Sequence, residues 1–295
     1  MKKRICILGT SPLMIIIYYR LFKKNIVDIF DNKKMLGGAW SYNKQCDVRY
    51  SNFNNIILPA NQEEDNNILK INSELKKNKC IIHLPSVPLK IKDSYKPKNI
   101  YIHNFSEFFK NFERKNLVLK KKIRNIEINL NEIVIDNKKY DFLFLPSCFK
   151  VKNLSIKNKK YPLDIKIVNS KHVSIFFGDN RLNLCTYDDD FDNIFDRAQI
   201  RKIDHEYIFT GRVRKNFKSK DIRYLINNSY FLSKLKHLIK NYKINFFEHN
   251  IIDEKDLLNI KKITSKLPVS IVETRQFSYG YLRLEESLYK LNMVS

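Results

Sequence analysis

Glycine, tryptophan and cysteine are scarce in this chain of 295 residues, which contains six, one and five of them respectively. The cysteines lie far apart and show no C-x-x-C spacing, which argues against a zinc site and against a disulfide framework. The six histidines show no metal-ligand spacing, and no G-x-S-x-G turn marks a serine nucleophile. We therefore expect no bound metal, reduced thiols and a cytoplasmic location.

Acidic residues are also scarce. The chain has 31 aspartates and glutamates against 55 lysines and arginines, which gives a net charge of +24. A clustered basic surface would attract nucleic acid. Lysine is abundant throughout the chain, however, together with Asn, Ile, Phe and Tyr, as in proteins of AT-rich genomes. With no finger, RRM or helix-turn-helix signature, we expect no specific nucleic-acid binding. The charge would favour a small-molecule substrate that is anionic.

The sequence has no apolar run long enough to cross a membrane. Residues 5–19 are largely apolar, but residues 9–12 interrupt them, and charges follow where a signal peptide would have a small-residue cleavage site. The hydrophobic content of 43% is enough to bury a sizeable core. We expect a globular protein without a transmembrane segment.

The most informative pattern lies in the first forty residues. Residues 4–8 form a short apolar run that ends at Gly9, and residues 13–23 are apolar on nearly every face. A second apolar run, residues 25–30, is closed by Asp31. The pattern predicts a strand, a turn, a buried helix and a second strand.

The turn keeps one of the three glycines of a dinucleotide-binding fold. Gly9, Ser11 and Met14 occupy the three positions, of which the first makes the turn, the second admits the pyrophosphate and the third lets helix and strand pack closely. Asp31 lies 22 positions after Gly9, where a carboxylate accepts hydrogen bonds from the adenosine ribose. Strand, turn, helix, strand and acid together predict a dinucleotide site.

Gly37, Gly38, Ala39 and Trp40 follow that acid. With them the segment resembles the N-terminus of the FAD-binding Rossmann flavoprotein superfamily that includes amine oxidases, protoporphyrinogen oxidase and UDP-galactopyranose mutase. In that superfamily a G-G-x-W or G-G-R motif runs along the FAD pyrophosphate and ribityl chain. Pro12 stands where the family often has a proline inside its glycine turn.

Two later segments are similar to the same superfamily. Residues 121–146 resemble its adenine-side hairpin, in which Ile123 and Ile126 would flank the adenine, although an ordinary β-meander explains the pattern equally well. Residues 272–289 resemble the closing segment, where Arg275 and Tyr279 fit the family's arginine and aromatic. A helix beginning near Glu286 would face the flavin phosphates.

The resemblance implies one set of cofactor-binding residues and a shorter set of catalytic candidates. Arg197, in an acidic and aromatic stretch, is a catalytic candidate whose plainer role is an ion pair with Asp192 or Asp196. Arg212, Arg214 and Arg275 could hold an anionic substrate group, although surface basicity also explains them. The catalytic candidates are Arg197, Arg275 and Tyr279; the cofactor-binding residues are Gly9, Ser11, Pro12, Leu13, Asp31, Asn32, Gly37, Gly38, Ala39, Trp40, Ile123, Ile126, Arg275, Glu286 and Ser287.

Further elements are expected from periodicity. Helices are predicted at residues 66–77, 105–115, 228–242 and 253–267. Strands are predicted at residues 173–177, 182–187, 207–212 and 243–250.

The resulting hypothesis is an α/β protein with a Rossmann-like FAD-binding domain and a smaller, inserted, strand-rich substrate domain. The FAD domain would comprise residues 1–60, about 115–150 and 265–295, and the insert residues 61–114 and 151–264. The resemblance implies an FAD-dependent oxidoreductase that passes a hydride from substrate to flavin, as amine oxidases do. A redox-neutral nucleotide-sugar mutase and a scaffold that has lost catalysis are the alternatives.

Overall fold

The protein, analysed as a computed structural model, divides into two units. The first unit comprises residues 1–41, 107–168 and 249–295, and the second comprises residues 42–106 and 169–248. The structure describes residues 2–32, 36–37, 42–45, 48–51, 56–57, 81–84, 89–90, 100–103, 112, 117–118, 121–147, 151–161, 165–177, 186–188, 191–203, 206–217, 221–252, 254–272 and 284–293.

Strands outnumber helices in the described part of the chain. The helices are α1 (Pro12–Leu21), α2 (Ile222–Asn228), a 3₁₀ helix (Leu232–Leu238), α3 (Glu254–Ile263) and α4 (Leu284–Met293). None of these helices is long and apolar enough to span a membrane. The strands are β1 (Arg4–Leu8), β2 (Ile26–Phe30), β3 (Tyr42–Gln45), β4 (Val48–Ser51), β5 (Ile56–Ile57), β6 (Ile81–Leu84), β7 (Leu89–Lys90), β8 (Ile100–His103), β9 (Leu117–Val118), β10 (Asn125–Ile128), β11 (Ile133–Ile135), β12 (Lys138–Tyr140), β13 (Phe142–Pro146), β14 (Asn153–Ile156), β15 (Lys159–Tyr161), β16 (Ile165–Phe177), β17 (Thr186–Asp188), β18 (Phe195–Ile203), β19 (Glu206–Val213), β20 (Ile239–Ile252) and β21 (Val269–Val272).

The first unit is built on a five-stranded sheet in the order β21-β13-β1-β2-β9. All four neighbouring pairs are parallel. The chain leaves β1 towards β2 and β9 on one side and later returns to β13 and β21 on the other. The strand order therefore reverses between β1 and β13, and in open parallel sheets ligands bind outside the carboxyl ends of the strands at such a switch point.

Both faces of this sheet are covered, as the continuous apolar runs of β1 and β13 require. Helix α1 follows β1 directly, and most of its side chains are buried. Its Tyr18 packs edge-on against the ring of Phe112, which assigns that phenylalanine to the core. The other face of the sheet presents Cys6, Leu8, Leu143 and Leu145 to a second sheet.

That second sheet has the order β12-β11-β10-β14-β15. Both of its two-residue hairpin turns have positive φ at the central residues, at Asp136 and Asn137 and again at Lys157 and Asn158, which is the geometry of type I′ turns. Strand β14 pairs in parallel with β10. This pairing places residues 151–161 in the first unit, whereas the sequence analysis assigned them to the inserted region.

The second unit contains a six-stranded sheet in the order β20-β16-β19-β18-β17-β7. Two smaller sheets, β3-β4 and β5-β8-β6, belong to the same unit. Its core is rich in aromatic and branched side chains from β16, β18 and β19 and from the helical segment that follows. The inserted region is thus strand-rich, and the chain as a whole is an α/β protein.

The single helix predicted at residues 228–242 is confirmed only in part. Helix α2 ends at Asn228, the 3₁₀ helix follows at Leu232–Leu238, and β20 begins at Ile239. The Ser229 hydroxyl donates to Asp192 Oδ2 at 2.5 Å and accepts from the amide of Leu232 at 3.0 Å. Ser229 has an extended backbone and separates α2 from the 3₁₀ helix. By contrast, β1, β2 and α1 confirm the elements predicted for the first thirty residues.

Candidate functional site

The carboxyl end of β1 leads into a tight turn and then into α1. Gly9 has φ of 84°, a left-handed conformation that strongly favours glycine, and its amide donates to the carbonyl of Phe30 at 2.6 Å. Pro12 opens α1, where the amide that proline lacks would have no intrahelical partner. The turn therefore has the backbone that the dinucleotide pattern predicts.

A buried threonine joins three parts of that pattern. Thr10 Oγ1 donates to Asp31 Oδ2 at 2.5 Å and accepts from the amide of Gly37 at 2.9 Å. Thr10 and Asp31 are both buried, and Gly37 also has a positive φ, of 88°. The glycine turn, the acid after β2 and the first glycine of the Gly-Gly motif thus meet at one place. Sequence reasoning missed Thr10, because it occupies a variable position of the turn.

The segment before β10 reaches the same edge of the sheet. The amide of Lys121 donates to the carbonyl of Asp31 at 2.9 Å. Ile123 and Ile126 follow, and both lie in the core cluster between the two sheets. Ile126 is fully buried there, so its side chain packs the core. The adenine contact that the family resemblance implies for these two residues remains a prediction.

The first turn of α1 offers an environment for an anion. It contains no acidic side chain, and a helix N-terminus carries partial positive charge and unpaired amides. Leu13 and Met14 are buried. Met14 stands in place of the third glycine, and it is accommodated within the helix–sheet layer with no exposed surface.

Two serine hydroxyls at this edge are buried and have no hydrogen-bond partner among the described residues. They belong to Ser11, which precedes α1, and to Ser147, which follows β13. A buried polar atom without a partner is unfavourable and is commonly satisfied by a ligand or a water. This observation, the acid after β2 and the glycine turn all fit the ADP part of FAD.

Two lysines anchor the last turn of helix α4 to the first unit. Lys290 Nζ donates to the carbonyls of Thr264 and Val269 at 2.6 and 2.7 Å, and Lys3 Nζ donates to the carbonyl of Leu291 at 3.2 Å. These contacts hold the last turn of α4 at the amino ends of the strands. Burial lowers the pKa of Lys290 to about 8.

The structure describes only some of the remaining cofactor-binding candidates. Ser287, in the first turn of α4, is buried, whereas Glu286 and Asn32 are exposed. Asn32 directly follows Asp31. Gly38, Ala39, Trp40, Arg275 and Tyr279 lie outside the described residues.

Two arginines of the second unit, Arg212 and Arg214, bind acceptors within that unit. Arg212 Nε donates to Asp196 Oδ1 at 2.8 Å, and Arg214 donates through Nε and Nη2 to the carbonyl of Asp192. The structure describes the backbone of Arg197 in β18 and not its side chain. The carboxylate of Asp196, one of the two partners expected for Arg197, is thus paired with Arg212.

On the face of the first sheet that meets the second sheet, Asp28 accepts two hydrogen bonds. Lys138 Nζ donates to its Oδ2 at 2.5 Å and the Tyr140 hydroxyl donates at 2.9 Å. The buried Cys6 lies on β1 opposite Asp28. Burial first, and then the charge of Asp28, raise the pKa of the Cys6 thiol. A thiol held protonated in this way is a core side chain and not a nucleophile.

No protein-family model and no curated protein matches this sequence. Solved structures do match its fold. Reduced UDP-galactopyranose mutase is 9% identical, with a TM-score of 0.63 over 100% of this chain and 95% of that chain. An FAD-dependent oxidoreductase from Pseudomonas aeruginosa is 9% identical, with a TM-score of 0.59 over 99% and 91%.

A third similar structure is a CLA-producing fatty acid isomerase from P. acnes, which is 10% identical, with a TM-score of 0.58 over 99% of this chain and 98% of that chain. Identities near 10% establish a shared fold and leave the reaction open. The sheet order and the turn at Gly9 indicate the same fold as these similarities do. The chain has the fold of the FAD-binding Rossmann flavoproteins.

Proposed function

We propose that this protein binds FAD at the carboxyl edge of its five-stranded parallel sheet and acts as an FAD-dependent oxidoreductase on a small-molecule substrate. The observation that carries the proposal is the junction at Thr10, which contacts both Asp31 and Gly37 at the carboxyl ends of β1 and β2, next to the switch point. Strand pairing brings Thr10 and Asp31 together, and the bond to Gly37 adds the start of the Gly-Gly motif to the same edge.

Each part of the junction has a role in holding the cofactor. Asp31 is the acceptor for the ribose hydroxyls of the adenosine. The amides of Leu13 and Met14, in the first turn of α1, donate to the phosphates. Gly9 and Gly37 keep the backbone close to the ligand, because neither carries a side chain that would fill the space.

FAD, when bound, supplies a two-electron acceptor for a hydride from the substrate. The protein has to bind the substrate, orient it and exclude water. Arg197, Arg275 and Tyr279 are our candidates for that task, and an excess of positive charge over the whole chain favours an anionic substrate. The proposal includes a cytoplasmic location, which the few and widely spaced cysteines of the sequence suit.

The test begins with the purified full-length protein and its visible spectrum. We expect flavin absorption bands that survive dialysis, or that return when FAD is added to the apoprotein. A folded protein that is colourless and does not bind added FAD would contradict the proposal. Circular dichroism should be recorded alongside, because it separates a folded protein without flavin from a misfolded one.

The reaction class requires a second measurement on the flavin-loaded protein. Anaerobic mixing with a panel of amines and hydroxy acids should bleach the flavin when the right substrate is present, and oxygen should restore its colour. Turnover that occurs only after the flavin has been reduced, with no net electron transfer, would replace the oxidoreductase with a redox-neutral enzyme.

A further inference from the structure

The hydroxyls of Ser11 and Ser147 lie where two neighbouring strands of the parallel sheet end. Ser11 follows β1 after a two-residue turn, and Ser147 follows β13 directly. β1 and β13 are adjacent and parallel, with Ile7 paired to Phe144. Both serines therefore border the crevice at which the strand order reverses.

A backbone hydrogen bond fixes Ser147 at the carboxyl end of β13. Its amide donates to the carbonyl of Val272 at 2.8 Å, at the end of β21, and the residue is only 1% exposed. Its Oγ has no hydrogen-bond partner in the described part of the chain. An unpaired buried hydroxyl is costly, and alanine would fill the same position without that cost.

Ser11 is the N-cap residue of α1, but its side chain makes no capping hydrogen bond. Serine at an N-cap normally accepts from an amide of the first turn. Here the hydroxyl is buried and lacks a partner among the described residues, so both it and the first-turn amides are left for a ligand. Pro12 has no N–H group, so the start of α1 has one backbone donor fewer. The Ser11 hydroxyl can supply a donor at this place.

The positions of Ser11 and Ser147 in the sheet indicate which group of the ligand their hydroxyls would contact. Asp31 ends β2, on the opposite side of β1 from β13. At about 4.8 Å between strands, the end of β13 lies about 10 Å from the end of β2. The ribose that Asp31 binds does not extend that far, whereas the pyrophosphate beyond it does. Phosphate oxygens only accept hydrogen bonds, and serine hydroxyls can donate them.

We propose that the Ser11 and Ser147 hydroxyls donate hydrogen bonds to the pyrophosphate of the bound dinucleotide. The inference rests on the proposed FAD site. The second glycine of the dinucleotide pattern lets the backbone approach the pyrophosphate closely. Here side-chain donors would supply part of that binding. The chain thereby recognises a diphosphate-containing nucleotide despite a glycine turn that keeps one glycine of three.

The experiment compares Ser11→Ala, Ser11→Gly and Ser147→Ala with a matched control, Ser174→Ala. Ser174, in β16 of the second unit, is also a buried serine whose Oγ lacks a partner among the described residues. FAD binding is measured by titration of flavin fluorescence, and ADP and adenosine are measured as competitors of FAD.

We expect each variant at Ser11 or Ser147 to lose about tenfold in affinity for FAD and ADP, as for loss of a hydrogen bond to a charged group. Affinity for adenosine, which has no phosphate, should not change. Ser174→Ala should bind all three as the wild type does. The melting temperature of the Ser11→Ala and Ser147→Ala apoproteins should stay the same or rise, because an unpaired buried hydroxyl is removed.

Several results would overturn the inference. Wild-type affinity for FAD in the Ser11 and Ser147 variants would do so and leave the proposed function standing. An equal loss for adenosine would mean that the hydroxyls do not recognise phosphate, and tighter FAD binding by Ser11→Gly would mean that the serine only obstructs. A wild-type protein that binds neither FAD nor ADP would overturn the proposed function together with the inference.

Discussion

Thr10 Oγ1 lies 2.5 Å from Asp31 Oδ2 and donates its proton to that carboxylate. The same oxygen accepts from the amide of Gly37 at 2.9 Å. Thr10 therefore orients the acid that would hold the ribose and anchors the start of the Gly-Gly motif. Its contribution is to position other groups, because its donor and one acceptor site are already used.

Replacing Thr10 with valine should lower the affinity for FAD by about 1–2 kcal/mol, since valine keeps the shape and loses the hydrogen bond to a charged group. Thr10→Ser keeps the hydroxyl and should bind FAD nearly as the wild type does. Fluorescence titration of FAD measures both. Equal losses in the two variants would point to packing rather than to the hydroxyl.

Replacing Asp31 with alanine should weaken FAD binding by about 1–3 kcal/mol, because a buried acceptor for the ribose hydroxyls is lost. Asp256→Ala, at an exposed position of α3, is the matched control and should change nothing. Isothermal titration of FAD into each apoprotein provides the comparison. Unchanged affinity in Asp31→Ala would show that the dinucleotide register assigned to the N-terminal segment is wrong.

Gly211, in β19, is enclosed by aromatic rings. An added Cβ would lie 2.6 Å from Phe195 Cδ1 and 2.7 Å from Phe209 Cε1, and both rings are fully buried. Gly211→Ala should therefore lower the free energy of unfolding by about 1–3 kcal/mol through overpacking. Urea denaturation gives the value, and Asn227→Ala, on the exposed side of α2, should stay within about 0.5 kcal/mol of the wild type.

The lowered pKa of Lys290 predicts how the free energy of unfolding depends on pH. Burial lowers its pKa to about 8 in the folded protein, against about 10.4 in an unfolded chain. Between those values the unfolded state binds more protons, so the contribution of Lys290 to stability rises with pH. Well below pH 8 the lysine is charged in both states, and its contribution stays constant.

The comparison is with Lys290→Met, which cannot titrate. The difference in unfolding free energy between wild type and this variant should increase in favour of the wild type by about 1 kcal/mol from pH 7.5 to 9.5. That figure is below the full linkage value because Lys290 is only half-buried and carbonyl acceptors also favour its charged form. A constant difference over this range would mean that the ammonium keeps its ordinary pKa.

The N-terminal strand, helix and second strand could be predicted from the sequence because their signals are local. Strand β1 is a continuous apolar run, Gly9 ends it, and the spacing to Asp31 is set by one helix and one strand. Such patterns depend on neighbours in sequence, which a single chain displays directly.

Elements that depend on distant partners were predicted less well. Residues 228–242 have helical periodicity, yet the bond between Ser229 and Asp192 joins residues 37 positions apart, and β20 forms by pairing with β16. The pairing of β14 with β10 is likewise a contact between segments that are distant in sequence. Periodicity carries no information about which strands will be neighbours.

The dinucleotide-type strand, turn and helix, and the acid at the expected distance after them, follow from local patterns in the sequence. The contacts of those residues depend on the tertiary structure. It brought Thr10 between Asp31 and Gly37, buried Met14 in the place of a glycine, and left the hydroxyls of Ser11 and Ser147 without partners in the described chain. Hydrogen bonds and packing of this kind join residues far apart in sequence, and only the folded chain determines their partners.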